Sequence, residues 1–287
     1  SILIIFAGMQ QAIKHLQREL SPIYQEPELS SVARLVISKV TGYSFTELLV
    51  NKNTIFSQYQ RNLLEFYTEK LKKRMPVQYV LGETEFCGLN FTVDESVLIP
   101  RPETEELVAW MVEEAAHDAV ILDIGTGSGC IPVSLKNFLP RSTVYGCDIS
   151  IEALKLAGQN AENNHLHVSF FEMDILAETS SERKYHMIVS NPPYIPSREM
   201  GTIHERVKDF EPHLALFVPD NDPLIFYRKI AAYAQQYLFQ DGKLFFEIHR
   251  DYADGCKSIL EEYGFENIQL KKDISGNNRM MRAEKKV

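Results

Sequence analysis

The stretch Leu122-Asp123-Ile124-Gly125-Thr126-Gly127-Ser128-Gly129 decides how this 287-residue chain is read. An apolar run at 119–124 with strand character leads into it, and a stretch at 130–138 with helical spacing follows. Three glycines therefore crowd one strand-to-helix turn. Glycine permits positive φ and lets a backbone approach a ligand closely, but a tight turn asks for no more than that. The spacing is more telling. A dinucleotide fingerprint begun at Gly125 needs its third glycine at position 130, which is Cys130; the chain places it at Gly129.

Working outward, strand-like runs at 143–147, 167–171, 187–190, 243–248 and 265–270 alternate with helical stretches at 151–163, 224–238 and 252–263. Repeated βα units with nearly all-apolar strands predict a parallel sheet covered on both faces, with ligands held beyond the strand C-termini. The second strand runs into Asp148, where a carboxylate can accept both hydroxyls of a ribose, and the third is followed by Asp174, suited to an adenine edge. The G-x-G-x-G form is the one associated with S-adenosylmethionine. The main rival is a nicotinamide enzyme catalysing hydride transfer.

The fourth strand leads directly into Asn191-Pro192-Pro193-Tyr194. Prolines carry no N–H, and an asparagine offers an acceptor beside two donors. The Asn191 side-chain oxygen and the Pro192 carbonyl can each accept one N–H of an NH2 group, with Tyr194 against its flat face. Such an arrangement answers a chemical difficulty: an amide or exocyclic amine nitrogen has a delocalised, weakly nucleophilic lone pair. Two acceptors orient it and favour the positive charge that it gains. Adenine N6, cytosine N4 and a glutamine side chain all present such a nitrogen, so the motif alone does not choose among them.

Upstream, residues 9–80 carry apolar residues at helical spacing, interrupted at Ser21-Pro22, Glu26-Pro27 and Gly42, which predicts a small helical bundle. Residues 81–98 read as a β-hairpin linker and 99–287 as the α/β domain, opening with a helix after Arg101-Pro102. Residues 1–8 read as an extension without a role in function. The net charge of -9 disfavours phosphate-backbone partners. Four scattered cysteines, and His165 and His167 without a third ligand, argue against a metal site or disulfide framework and for a reducing compartment. No apolar run is long enough to span a bilayer.

Taken together, residues 76–82, 98–105, 125–129, 191–194 and 210–216 resemble the release-factor glutamine methyltransferases, the HemK/PrmC family. The resemblance covers nearly the whole chain from Met9. It implies a Rossmann-like seven-stranded mixed sheet with a helical N-terminal domain that docks a peptide chain release factor. It implies methyl transfer from S-adenosylmethionine, leaving S-adenosylhomocysteine, to the glutamine N5 of a Gly-Gly-Gln motif. By the same resemblance, Gly125, Thr126, Gly127, Ser128, Gly129, Asp148, Asp174, Ile175 and Asn191 contact the cofactor. Asn191, Pro192, Pro193 and Tyr194 carry catalysis and bind the substrate, with Arg101 beside them. A cytoplasmic monomer acting on protein without direct contact to nucleic acid is expected. Two departures stand out: some relatives carry an aromatic residue where this chain has Ile175, and many carry Asp-Gly near Asn221-Asp222-Pro223. Rival activities are methylation of a ribosomal-protein glutamine and, more distantly, of adenine in nucleic acid; a non-catalytic cofactor-binding module would not need Asn191–Tyr194 intact.

Overall fold

A computed structural model describes residues 8–177 and 180–286, so the reading of residues 1–8 as an extension lies almost entirely outside the described residues. The chain divides into two compact units, one ending at Gly82 and the other beginning at Glu83.

The first unit is helical: α1 (Met9–Leu20), α2 (Glu28–Thr41), α3 (Phe45–Val50), α4 (Gln58–Lys72) and α5 (Val77–Leu81). Its core sets Ala12, Leu16 and Leu20 against Val32, Val36, Ile37, Leu64 and Leu71, whereas Leu35, Ile55 and Phe66, which share the helical spacing, are exposed. Ser44 and Ser57 start α3 and α4 with capping boxes, each hydroxyl accepting an N–H three residues on. Gly42 closes α2 at φ 74°, the left-handed conformation that ends helices.

The second unit opens with a hairpin, β1 (Glu83–Phe86) and β2 (Leu89–Thr92), followed by α6 (Pro102–Glu114). Phe86 and Phe91 are buried with Leu107, Trp110 and Met111 of α6, so the hairpin packs into this unit's own core. Next come β3 (Val120–Ile124), α7 (Cys130–Phe138), β4 (Thr143–Asp148), α8 (Ile151–Asn163), β5 (Ser169–Glu172) and β6 (Tyr185–Ser190). A short segment follows, with β7 (Ile195–Pro196), a 3₁₀ turn at Ser197–Gly201, α9 (Glu205–Phe210), α10 (His213–Leu216) and β8 (Phe217–Val218). The chain ends with α11 (Ile225–Tyr237), β9 (Leu238–Glu247), α12 (Ala253–Glu262), β10 (Phe265–Lys272) and β11 (Asn278–Lys285).

Seven strands form one sheet in the order β10-β11-β9-β6-β3-β4-β5. β3, β4, β5, β6 and β9 pair in parallel, whereas β11 runs antiparallel to both β9 and β10. The sheet is therefore mixed, where βα alternation by itself predicted a parallel one. Helices cover both faces, and the two large apolar clusters lie one on each side: α11 and α12 dominate one, α6 and α7 the other. The strand order reverses beside β3, where β4 and β6 flank it, which opens a crevice at the carboxyl ends of these strands.

Candidate active site

The crevice is a cavity of about 200 Å³, lined among others by Gly125, Gly127, Asp148, Asp174, Ile175, Asn191, Pro192 and Pro193. Its floor is the glycine turn. The Gly125 and Thr126 N–H groups both donate to the Cys147 carbonyl at 2.9 Å, folding the end of β3 toward β4. Gly125 and Gly127 sit at φ 75° and 52°, and a Cβ on either would meet no atom within 4 Å. Gly129 is different: at φ 79° it caps α7, and a Cβ there would stand 3.0 Å from the Ala157 Cβ of α8. Thr126 and Ser128 are buried and do not line the cavity.

Asp148 is fixed by two backbone donors, Gly127 N–H at 2.9 Å and Ser150 N–H at 3.0 Å, one to each oxygen. Each oxygen keeps a lone pair for a further donor. Asp174 likewise accepts from the Leu176 N–H at 2.9 Å. Between these carboxylates the lining is aliphatic, with Ile149, Met173 and Ile175. Open glycine backbone, a held carboxylate and an apolar slot fit a nucleoside-bearing sulfonium, the positively charged donor that the glycine spacing indicated.

Another wall lies at the end of β6, where the Ser190 hydroxyl donates to the Ile124 carbonyl at 2.7 Å and ties β6 to β3. Asn191, Pro192 and Pro193 thus enter the wall of the cavity that the glycines floor. The Asn191 Nδ2 donates to Thr104 Oγ1 of α6 at 3.4 Å, and the Thr104 hydroxyl donates to Glu247 Oε2 at 2.6 Å. The Tyr194 hydroxyl points to the other carboxylate oxygen of Glu247 at 3.4 Å, and its ring lies 5.8 Å from that of His249. Tyr194 does not line the cavity. Burial, with Glu247 beside it, holds its phenol far above the usual range. Arg101 also stands outside the lining, paired with Glu211.

Several residues of this site carried no assignment in the sequence. Asn160 of α8, fully buried, donates to the Ser128 carbonyl at 2.9 Å while exchanging hydrogen bonds with the Thr92 backbone, and so braces the glycine turn against β2. Asp123 is completely buried beneath that turn, and neither of its oxygens has a hydrogen-bond partner among the described residues. Burial pushes its carboxyl up to about 7; the nearby Thr126 hydroxyl opposes the shift and the Asp148 charge adds to it. Val97, Leu98, Pro212, Leu214 and Ala215 form a further part of the wall. These fall in or beside segments singled out by resemblance, but only the fold brings residues near 98 and 212 to one place.

Two family models match the chain: a methyltransferase small domain over residues 103–214 and a PrmC N-terminal domain over residues 11–82. A release factor glutamine methyltransferase of Flavobacterium psychrophilum is 42% identical over 92% of this chain and 94% of its own length. The chain belongs to the release factor glutamine methyltransferase family. A second member, from Bacteroides thetaiotaomicron, is 39% identical over 96% of this chain and 100% of its own. Membership agrees with the resemblance carried by the motifs, and it makes the chain an enzyme of methyl transfer. Among solved structures, a methyltransferase from Pyrococcus furiosus overlays at a TM-score of 0.53, covering 70% of this chain and 90% of that one at 16% identity, a likeness of fold alone. Among the described residues, no helix is long and apolar enough to cross a membrane.

Proposed function

We propose that this enzyme transfers the methyl group of S-adenosylmethionine to the side-chain amide N5 of the glutamine in the Gly-Gly-Gln motif of peptide chain release factors. The observation that carries this reading is the meeting of Asn191, Pro192 and Pro193 with Gly125, Gly127 and Asp148 in one cavity wall. When bound, S-adenosylmethionine supplies an electrophilic methyl on a sulfonium. The chain's residues do the rest. Asp148 would hold the ribose hydroxyls on its remaining lone pairs, Asp174 would meet the adenine edge, and Ile149 and Ile175 would supply the apolar slot for the ring. Gly125 and Gly127 leave room for the amino-acid arm.

The Asn191 Oδ1 and the Pro192 carbonyl each accept one N–H of the incoming amide. Both acceptors draw on the same nitrogen, so its lone pair is aimed and the positive charge that develops on it is favoured. As the N–C bond forms and the S–C bond breaks, leaving S-adenosylhomocysteine, the nitrogen would become acidic enough to release one proton to solvent, so no base of unusual basicity is required. Thr126, Ser128 and Gly129 serve by shaping the turn, Tyr194 by flanking the acceptor motif and Arg101 by holding the wall near it. The helical unit, residues 9–80 in this reading, grips the body of the release factor, while 99–287 carries the chemistry. We assign the reaction to the cytoplasm and to a monomer without contact to nucleic acid, in keeping with the net charge of -9.

The test is incubation with methyl-labelled donor and, separately, a release factor, ribosomal proteins and adenine-containing DNA, with the methyl located by mass spectrometry. Label on the Gly-Gly-Gln glutamine supports the reading. Label confined to ribosomal protein or DNA overturns it.

A further inference from the structure

The acceptor reading depends on which end of the Asn191 carboxamide faces the cavity. A carboxamide turned by 180° keeps nearly the same shape, but it would then present its NH2 to the NH2 of the substrate. Something must select one orientation, and Asn191 has no such selector within its own loop. The selector lies on two other elements: Thr104 of α6 is 87 residues before Asn191, and Glu247 of β9 is 143 residues beyond Thr104.

Hydrogen ownership settles the matter. The ionised carboxylate of Glu247 owns no hydrogen, so in that form it can only accept. The Thr104 hydroxyl has one hydrogen, and it is spent on Glu247 Oε2 at 2.6 Å. What Thr104 then offers Asn191 is a lone pair, and only the Nδ2 end can use it, as observed at 3.4 Å. The Oδ1 is left to the acceptor. Thr104 and Glu247 are both buried, at 2% exposure each, so water does not compete for either hydrogen bond. The other Glu247 oxygen faces the Tyr194 hydroxyl, so one carboxylate bears on both ends of the acceptor motif.

We propose that Glu247, acting through the Thr104 hydroxyl, is a positioning residue that fixes the Asn191 carboxamide with its oxygen toward the substrate amide. Neither residue touches the reacting atoms. Burial, joined by the Glu103 charge, raises the Glu247 carboxyl above its ordinary range, while the Thr104 hydroxyl, Arg279 and Tyr194 oppose that rise; the ionised form is the one that accepts from Thr104. The inference rests on the acceptor reading given above.

Three variants test it with release factor as substrate: Thr104→Val, which keeps shape and loses the hydroxyl; Thr104→Ser, which restores the hydroxyl; and Glu247→Leu, alone and combined with Thr104→Val. Thr104→Val is expected to lower kcat roughly 10- to 100-fold, the scale of a misaligned reactant. KM for the release factor and calorimetric affinity for S-adenosylhomocysteine should stay within about threefold, and Thr104→Ser should recover most of the loss. Because Glu247 works through Thr104, the losses of Thr104→Val and Glu247→Leu should combine to clearly less than their product, with only the Tyr194 contact left for Glu247→Leu to remove. A kcat for Thr104→Val equal to that of the parent, or fully multiplicative losses in the double variant, overturns the inference. If the parent itself methylates no release factor, it is the proposed function that fails, and that result is read before any variant is made.

Discussion

Arg101 donates to Glu211 Oε1 at 2.6 Å, and the other oxygen of that buried carboxylate accepts the Ile99 N–H at 3.3 Å. The pair joins segments 110 residues apart, and both segments supply the cavity wall: Val97 and Leu98 on one side, Pro212, Leu214 and Ala215 on the other. Glu211 has 1% of its side chain exposed, so the ion pair is what makes its charge tolerable there.

Arg101→Ala therefore strands a buried carboxylate. A loss of roughly 2–4 kcal/mol in folding stability is expected, below the cost for a fully buried pair because Arg101 is about a third exposed. Donor affinity should fall with it, since the wall loses its tie. Chemical denaturation and calorimetry measure both, and an unchanged denaturation midpoint would show that Glu211 finds another partner.

Asp148 holds its position by accepting from Gly127 and Ser150, and in the proposed function its remaining lone pairs take the donor's ribose. Asp148→Ala should weaken donor binding by roughly 2–3 kcal/mol, the worth of hydrogen bonds to a charged acceptor. Isothermal titration with S-adenosylhomocysteine reads this directly; a change below twofold would remove Asp148 from the cofactor site.

The glycines of the turn separate into two kinds. Gly125→Ala puts a methyl into open space at the cavity wall, so beyond a backbone strain of about 1–2 kcal/mol its effect should fall on ligand affinity. Gly129→Ala drives a methyl to 3.0 Å from Ala157, which adds overpacking and should cost roughly 2–4 kcal/mol of stability. Melting curves with and without S-adenosylhomocysteine distinguish them. Equal loss of ligand-free stability in both would contradict the division.

Asp123 gives the fold a pH signature. Its carboxyl ionises near 3.8 when the chain is unfolded and at about 7 when folded. Between these values the folded state holds a proton that the unfolded state has released, so this group makes folding less favourable as pH rises through that window. Below 3.8 it contributes no such penalty, and above about 7 the penalty is complete. Asp123→Asn should therefore gain stability relative to the parent, on the order of a few kcal/mol at pH 8 and less at pH 5. A gain that does not grow with pH would mean that Asp123 is solvated or paired in the native state.

Much of this architecture could be read from residue patterns. Helices α7 and α8 stand at 130–138 and 151–163, where the spacing put them, because each has an apolar stripe and a glycine or serine start. The strand β11 was not legible. Asn278–Lys285 carries Arg279, Arg282 and Glu284, which look like surface, yet Arg282 is buried through ion pairs with Glu114 and Glu284. Glu284 is a neighbour on β11 itself, but Glu114 sits on α6, and the strand's hydrogen-bonding neighbours β9 and β10 set its direction; neither of these is local. The site divides the same way. Gly125, Asp148 and Asn191 announce themselves because turn chemistry and strand ends are short-range features, whereas Thr104, Asn160, Glu211 and Glu247 gain their roles from hydrogen bonds spanning 32 to 143 residues.

The most direct measurement is the single-turnover rate of methyl transfer to release factor by Asn191→Ala, taken beside its calorimetric affinity for S-adenosylhomocysteine. With the Asn191 carboxamide proposed to hold the substrate amide, the rate should drop at least ~100-fold while much of the affinity remains. A rate matching that of the parent chain would contradict the account at its centre.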